Sequence, residues 1–351
     1  MVSWPGRFVD LVGTEHPIIQ APMAGAGGVE LCVAAIEGGA LGSLPCGMLS
    51  PEQVRDQVAE IRARTGGPFN LNFFCHRMPE GIDDSAWKRL LQPYYEEFDV
   101  QPDNGGALRL PFDSAMADVV EEVRPPVVSF HFGLPDADLL ERVQATGALI
   151  LGNATTVEEA RWLDLRGVDA IIAQGFEAGG HTGRFLDSDP AEALGLFALL
   201  PRTADVVSAP VIAAGGIGDA RGIAATFTLG ASATQLGTAY LHCPEALISE
   251  VHRRRLKEGQ TVMTNLLTGG LARGIPGRLI EDLGPVRPEA PAYPLASAAL
   301  APIRSAAENR GEYGFGPMWA GQAAALGEAI PAAELTRKLA AGALAILGGE
   351  A

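Results

Sequence analysis

Eight short apolar runs punctuate the chain, each flanked by Gly, Pro, Asn or Gln: PIIQAPM (17–23), GALGSL (39–44), PFNLNFF (68–74), VVSFHFG (127–133), ALILGNA (148–154), DAIIAQG (169–175), PVIAAGG (210–216) and SATQLGT (232–238). None alternates strictly between apolar and polar positions. Each therefore predicts a strand covered on both faces, as in a parallel sheet. Helical patterns lie between several of them, among them PEQVRDQVAEIRAR (51–64), TVEEARWLDLRG (156–167) and DARGIAATFTLG (219–230). Eight β–α units over roughly 240 residues match the size of a (β/α)8 TIM barrel. An open doubly wound sheet is the alternative, and it would normally carry a glycine fingerprint after one strand. Neither GAGGVE (25–30) nor GIGDAR (216–221) completes G-x-G-x-x-G, so the pattern favours the barrel.

Residues 1–240 together with 317–351 thus predict the barrel, the last segment returning as closing helices. Residues 76–125, rich in Pro, Asp and Tyr, predict an elaborated loop after the third strand. Residues 241–316 predict a small, mostly helical cap domain inserted after strand 8, over the barrel mouth.

Charge and composition narrow the function. A formal net charge of −16 with only 26 Lys plus Arg opposes nucleic acid and anionic lipid as partners. The N-terminal MVSWPGRFVDLVG lacks a basic stretch followed by an apolar core, so no signal peptide is expected. The longest uncharged stretch, Gly222 to Pro244, is too polar to span a bilayer. Cys32, Cys46, Cys75 and Cys243 are scattered without C-x-x-C, which suits a reducing cytoplasm. The adjacent pairs Cys75-His76 and His242-Cys243 lack the usual ligand spacing, so no metal is expected.

Chemistry in this fold sits at the C-terminal strand ends. Those positions hold Gln20 and Met23, Asn72, His131, Asn153, Gln174 with His181, Gly215-Gly216, and Gln235. Metal-assisted enolisation needs converging carboxylates, and Glu177 is the only evident acid there. Schiff-base chemistry needs a strand-end lysine, yet Lys88, Lys257 and Lys338 all lie outside the predicted strands. Amides remain. They offer uncharged donors and acceptors suited to the polar edge of a flavin, although they would equally satisfy loop backbone. GGIG (215–218) and LGTA (236–239), after strands seven and eight, let backbone N–H groups approach an anion; tight turns are the plainer reading. A ring at the mouth with one phosphate between these loops means FMN.

Five stretches carry a family resemblance: QAPMAG (20–25), AQGFEAGGHTG (173–183), PVIAAGGIG (210–218), ATQLGTA (233–239) and MWAGQAA (318–324). They resemble the nitronate monooxygenases, formerly called 2-nitropropane dioxygenases, and the long loop and VSFHFG strand look like the bacterial nitronate-oxidising class. The resemblance implies that FMN is held by Pro22, Met23, Asn72, Gln174, Gly179, Gly180, Gly215, Gly216, Gln235, Leu236, Gly237 and Thr238. It implies His181 as the catalytic base, carried past the ring by its two glycines. His131, a histidine at a strand end, is either a second substrate contact or a satisfied core residue. The implied activity is oxidation of alkyl nitronates, such as propionate 3-nitronate, with O2 to a carbonyl compound and nitrite. An imidazole with an unperturbed pKa near 6.5 suits proton abstraction from a neutral nitroalkane, and for an anionic nitronate it would stabilise charge instead. One departure stands out: the family's first loop often reads like G-V-S-T-P where this chain has AGGVE (26–30). The alternative is an FMN-dependent NAD(P)H:quinone or enoyl-thioester reductase, and a phosphate-binding protein without flavin is a third reading. The expected partners are a nitronate or nitroalkane and O2, with a homodimer as the oligomer considered.

Overall fold

The computed structural model describes residues 4, 5, 7–102, 108–187 and 189–349. Parts of two expectations, the N-terminal stretch at 1–3 and 6 and the elaborated loop at 103–107, lie outside the described residues. Eleven strands occur among the described residues: β1 (Ile18–Gln20), β2 (Gly42–Pro45), β3 (Phe69–Phe74), β4 (Val127–His131), β5 (Leu149–Ala154), β6 (Ala170–Gln174), β7 (Gly180–His181), β8 (Val211–Ala214), β9 (Ala233–Leu236), β10 (Val262–Thr264) and β11 (Ala272–Gly274). Eight of them pair in parallel in the order β1-β9-β8-β6-β5-β4-β3-β2. The ring closes where Gln20 N donates to Leu41 O (3.0 Å) and Leu41 N to Ile18 O (2.9 Å). This is the (β/α)8 TIM barrel that the eight runs predict.

The reason is burial on both faces. Outward residues such as Ala173, Val211 and Ala213 pack under helices. Ile19, Leu151, Ile172, Ile212 and Ala233 form a second cluster with Leu41 and with Phe8 of the short helix Phe8–Val12. Phe8 is fully buried against the first residues of β4 and β6, Val127 and Ala170, so it plugs the N-terminal end of the barrel. Burying such a side chain is worth about 1.5–3 kcal/mol. The predicted helices start where their caps dictate. Ser50 and Gln53 make a capping box with Pro51 at the first turn of Pro51–Arg64. Thr156 and Asp219 cap Val157–Asp164 and Ala220–Thr228. The tail helix Ala332–Leu347 joins the outer layer through Leu335, Leu339 and Ala343.

A separate apolar cluster lies outside the barrel. Trp87, Leu91 and Tyr95 of helix Ser85–Phe98 pack with Ala299, Leu300 and Ile303 of helix Ala296–Asn309. The Trp87 indole N–H donates to Ala296 O (3.2 Å) and the Tyr95 hydroxyl to Ala299 O (2.6 Å). The segment after β3 thus sends a helix to the same core as residues 262–315. That region also contains β10 and β11, which extend through β7 into a three-stranded antiparallel sheet. No helix among the described residues is long and apolar enough to cross a membrane.

Candidate active site

A cavity of about 440 Å³ opens at the C-terminal ends of the barrel strands. Its wall gathers Pro22, Met23, Asn72, His131, Gln174, Gly179, Gly180, His181, Gly215, Gly216, Gln235, Gly237 and Thr238. Leu236, expected with them, is not on this wall. It is 1% exposed and packs into the core beneath the helices, because alternate residues of β9 point to opposite faces.

The strand-end amides are largely occupied with one another. Gln20 is fully buried; its Nε2 donates to Ala21 O, and its Oε1 accepts from Ser43 N at 2.9 Å. Asn72 Nδ2 donates to Ser129 O (3.2 Å) and Oγ (2.9 Å). Asn153 Nδ2 donates to Gln174 Oε1 (3.1 Å), which also accepts from Gly183 N (2.7 Å), while Gln174 Nε2 donates to His181 O (2.9 Å). Gln174 therefore ties the His181 loop to the barrel. Gln235 differs: its Oε1 is buried without a hydrogen-bond partner, and the residue borders the cavity. Glu177 is structural, since both of its carboxylate oxygens accept from Leu196 N (3.0 and 2.9 Å) at the start of helix Leu196–Ala204.

The glycines divide by what they meet. Gly215 and Gly216 have φ of 106° and 70°, a region L side chains seldom enter. Gly180 also has positive φ, 74°, and a Cβ there would meet open space. At Gly179 a Cβ would lie 2.5 Å from Gly321 N and 2.6 Å from the Ala320 carbonyl carbon. The close approach at Gly179 is therefore to the returning tail. That tail is pinned by Gly321 N donating to Thr238 Oγ1 (2.9 Å) and Gln322 N to Glu177 O (2.9 Å).

His181 hangs between barrel and outer layer. Gln174 holds its carbonyl from below, and β7 pairs with β11 from above, Ala272 opposite His181. Its Nε2 lies 2.8 Å from Thr268 Oγ1. The rings of Tyr293 (4.9 Å), Trp319 (5.3 Å) and Phe132 (6.1 Å) surround it. Burial holds the imidazole well below its usual pKa, and Arg109, His131 and His76 push in the same direction. Burial takes His131 down to about 4, against a backbone hydrogen bond to His181 that raises it. His76, also lowered by burial, places Nε2 3.1 Å from Arg109 O. These rings are neutral at neutral pH.

Sequence reasoning did not single out Thr268, Arg109, Tyr293 or Glu159. Glu159 is fully buried and accepts from Thr155 N, Phe185 N and Leu186 N, fixing the chain beyond His181. Its charge at a helix start reads as an ordinary exposed first-turn acid. Trp319 sits in MWAGQAA, so its stretch, though not its role, was visible. Among the described residues no cluster of His, Cys, Asp and Glu could hold a metal ion.

The nitronate monooxygenase family model matches residues 6–342. A nitronate monooxygenase of Paraburkholderia phytofirmans is 43% identical over 95% of this chain and 93% of its own length. One from Pseudomonas aeruginosa is 41% identical over 95% and 97%. A nitroalkane oxidase from Streptomyces ansochromogenes, known from crystal structures, superposes with a TM-score of 0.91 at 35% identity, covering 99% of this chain and all of that one. The chain belongs to the nitronate monooxygenase family, and it is an oxidoreductase enzyme built on a TIM barrel.

Proposed function

We propose that the protein is an FMN-dependent nitronate monooxygenase that oxidises alkyl nitronates, propionate 3-nitronate among them, with O2 to a carbonyl compound and nitrite. The observation that carries this reading is the cavity's division of labour. His181 is suspended on one side, while the unpartnered Gln235 Oε1 and the glycine backbone of 215–216 and 237 line the other. That donor-poor acceptor and open backbone fit a flavin with a single phosphate. Pro22, Met23, Asn72, Gln174, Gly179, Gly180 and Gln235 would hold the ring and its chain, and Gly215, Gly216, Gly237 and Thr238 the phosphate. The occupied amides of Asn72 and Gln174, the tail contact of Gly179 and the core position of Leu236 make Gln235 the side chain with most to gain.

A bound FMN supplies the path by which electrons leave the nitronate carbon and reach O2. The chain's own residues bind and orient the substrate. His181, neutral through burial, either takes the α-proton of a neutral nitroalkane or donates a hydrogen bond to a nitronate oxygen. His131 borders the same space as a second substrate contact. Residues 241–316, joined by helix Ser85–Phe98, act as the cap over a barrel made of 1–240 and 317–351. The free cysteines, three of them buried, suit the cytoplasm as compartment.

Supporting the oxidase over the reductase alternative are the relatives' names, nitronate monooxygenase and nitroalkane oxidase. The test is direct. Purified protein is denatured, its released flavin identified by chromatography, and O2 uptake and nitrite are followed on propionate 3-nitronate. FMN with matched O2 loss and nitrite release is expected. A colourless protein that takes up no flavin, or a flavin bleached anaerobically by NADH and untouched by nitronate, overturns the reading.

A further inference from the structure

Thr268 is 1% exposed, and its hydroxyl has a single partner among the described residues, Nε2 of His181 at 2.8 Å. That distance is a full hydrogen bond, and it can be made in two ways. If the imidazole donates from Nε2, the threonine's own hydrogen is left buried without an acceptor. If the threonine donates to Nε2, nothing is left over. A buried donor without a partner is the costlier arrangement. The neutral ring therefore carries its one hydrogen on Nδ1. Among the described residues no hydrogen bond engages Nδ1, it is not among the sealed unpartnered atoms, and the ring lines the cavity.

We propose that Thr268 is a positioning residue that fixes the tautomer of His181, so that Nδ1–H is offered to an oxygen of an anionic nitronate and the ring does not take the α-proton of a neutral nitroalkane. The inference rests on the nitronate reading above and chooses between the two roles left to His181 there. With Nε2 already accepting from Thr268 and Nδ1 protonated, the ring has no lone pair free for a carbon-bound proton. A donor among Phe132, Tyr293 and Trp319 acts in a low dielectric, where hydrogen bonds to charge are strong. The ring's low basicity, caused by burial, points the same way.

The experiment uses protein labelled with 15N in its six histidines and long-range 1H–15N correlation, which reports which ring nitrogen carries the hydrogen. His181→Asn assigns the His181 signals. Wild type and Thr268→Ser should show the Nδ1–H pattern, and Thr268→Val should lose it. In parallel, the ratio of kcat/KM for a nitronate to that for its parent nitroalkane should fall at least tenfold in Thr268→Val and recover in Thr268→Ser. An Nε2–H pattern in wild type overturns the proposal, as does a Thr268→Val protein with pattern and ratio unchanged. If Thr268→Val does not fold, the wild-type spectrum alone decides. Absence of any nitronate turnover alongside the Nδ1–H pattern overturns the functional reading while leaving the tautomer standing.

Discussion

The cavity has two walls of different chemistry. The barrel wall is made of amides and glycines whose polar atoms mostly satisfy one another: Gln20 with Ser43, Asn72 with Ser129, Asn153 with Gln174, and Gln174 with the His181 loop. The opposite wall is aromatic and charged, with Trp319, Arg109 and the Arg304–Glu308 ion pair on the cavity and Tyr293 against His181. A wall whose hydrogen bonds are internally paired is rigid and has few valences to spare, which suits holding one cofactor. A wall of rings and unlike charges discriminates among small substrates by shape and sign. His181 belongs to both walls, since its carbonyl is fixed by barrel residue Gln174 and its ring by Thr268.

Acid should produce the largest effect, because each wall carries a histidine whose pKa is lowered by desolvation. Burial lowers His131 on the barrel side to about 4 and His252 on the other side also to about 4, the latter against a hydrogen bond from its ring to Trp319 O at 3.1 Å that raises it. The folded pKa lies below the unfolded value near 6.5, so the unfolded chain binds more protons in this window. Stability is whole above pH 6.5 and falls as pH drops towards 4, by at most about 1.4 kcal/mol per pH unit for each histidine. Urea midpoints between pH 7 and 4.5 measure this. His131→Asn and His252→Asn should each flatten the slope by its own share. Equal slopes in wild type and both variants would show that neither wall stores its histidine neutral.

His181 comes next. Removing a preorganised donor at developing or bound negative charge typically lowers kcat by about 10²–10³-fold, and His181→Ala should lose that much on a nitronate. His181→Asn retains N–H donors and should recover part of it. Because burial lowers the ring's pKa and Nδ1–H remains a donor whether or not the ring is protonated, nitronate kcat/KM should show no break as pH falls through 6.5. A half-maximal point at 6.5 would mean an exposed imidazole. If His181→Asn instead fails on neutral nitroalkanes while sparing nitronates, the ring is the base and the Thr268 assignment falls with it.

The barrel wall was legible in the sequence and the other wall was not, for a physical reason. Parallel strands covered on both faces write uninterrupted apolar runs, and the residue where each run stops is the residue at the mouth. Asn72, His131, Gln174 and Gln235 could therefore be placed by counting. Thr268, Arg109 and Tyr293 lie in irregular segments without period and far from His181 in sequence, and they act on it only through the tertiary fold, which no local pattern encodes. Gly179 shows the limit within a legible stretch. EAGGH announces a close approach, and it does not say that the approach is to Ala320 and Gly321.

Gln235→Leu sharpens the contrast within the barrel wall. An unpartnered buried acceptor costs the flavin-free protein about 1–3 kcal/mol, so removing it should raise the melting temperature of apoprotein. If FMN binds here as proposed, the same change deletes an unpartnered acceptor bordering the cavity, and FMN affinity should fall about tenfold, roughly one neutral hydrogen bond. Calorimetry on apoprotein and flavin titration together give the two signs. Gln174→Leu should behave oppositely, lowering apoprotein stability because it strands His181 O, Gly183 N and Asn153 Nδ2.

The smallest expected effect separates the two glycines before His181. At Gly180 the Cβ of alanine would meet nothing within 4 Å, and the penalty is the left-handed backbone alone, φ 74°, worth about 1–2 kcal/mol. At Gly179 the same methyl would press on backbone atoms of Ala320 and Gly321 at 2.5–3.0 Å, and backbone cannot rotate aside as a side chain can. The 318–322 segment must move, and with it Trp319 on His181 and the Gly321 N bond to Thr238. Gly180→Ala should therefore cost only the backbone term and leave nitronate KM near wild type. Gly179→Ala should cost more and raise KM through displacement of Trp319. Melting temperatures of the flavin-free variants, compared with KM at matched flavin content, decide it. Identical losses at both positions would mean that the tail yields freely, and that the wall it forms is softer than its hydrogen bonds to Thr238 and Glu177 imply.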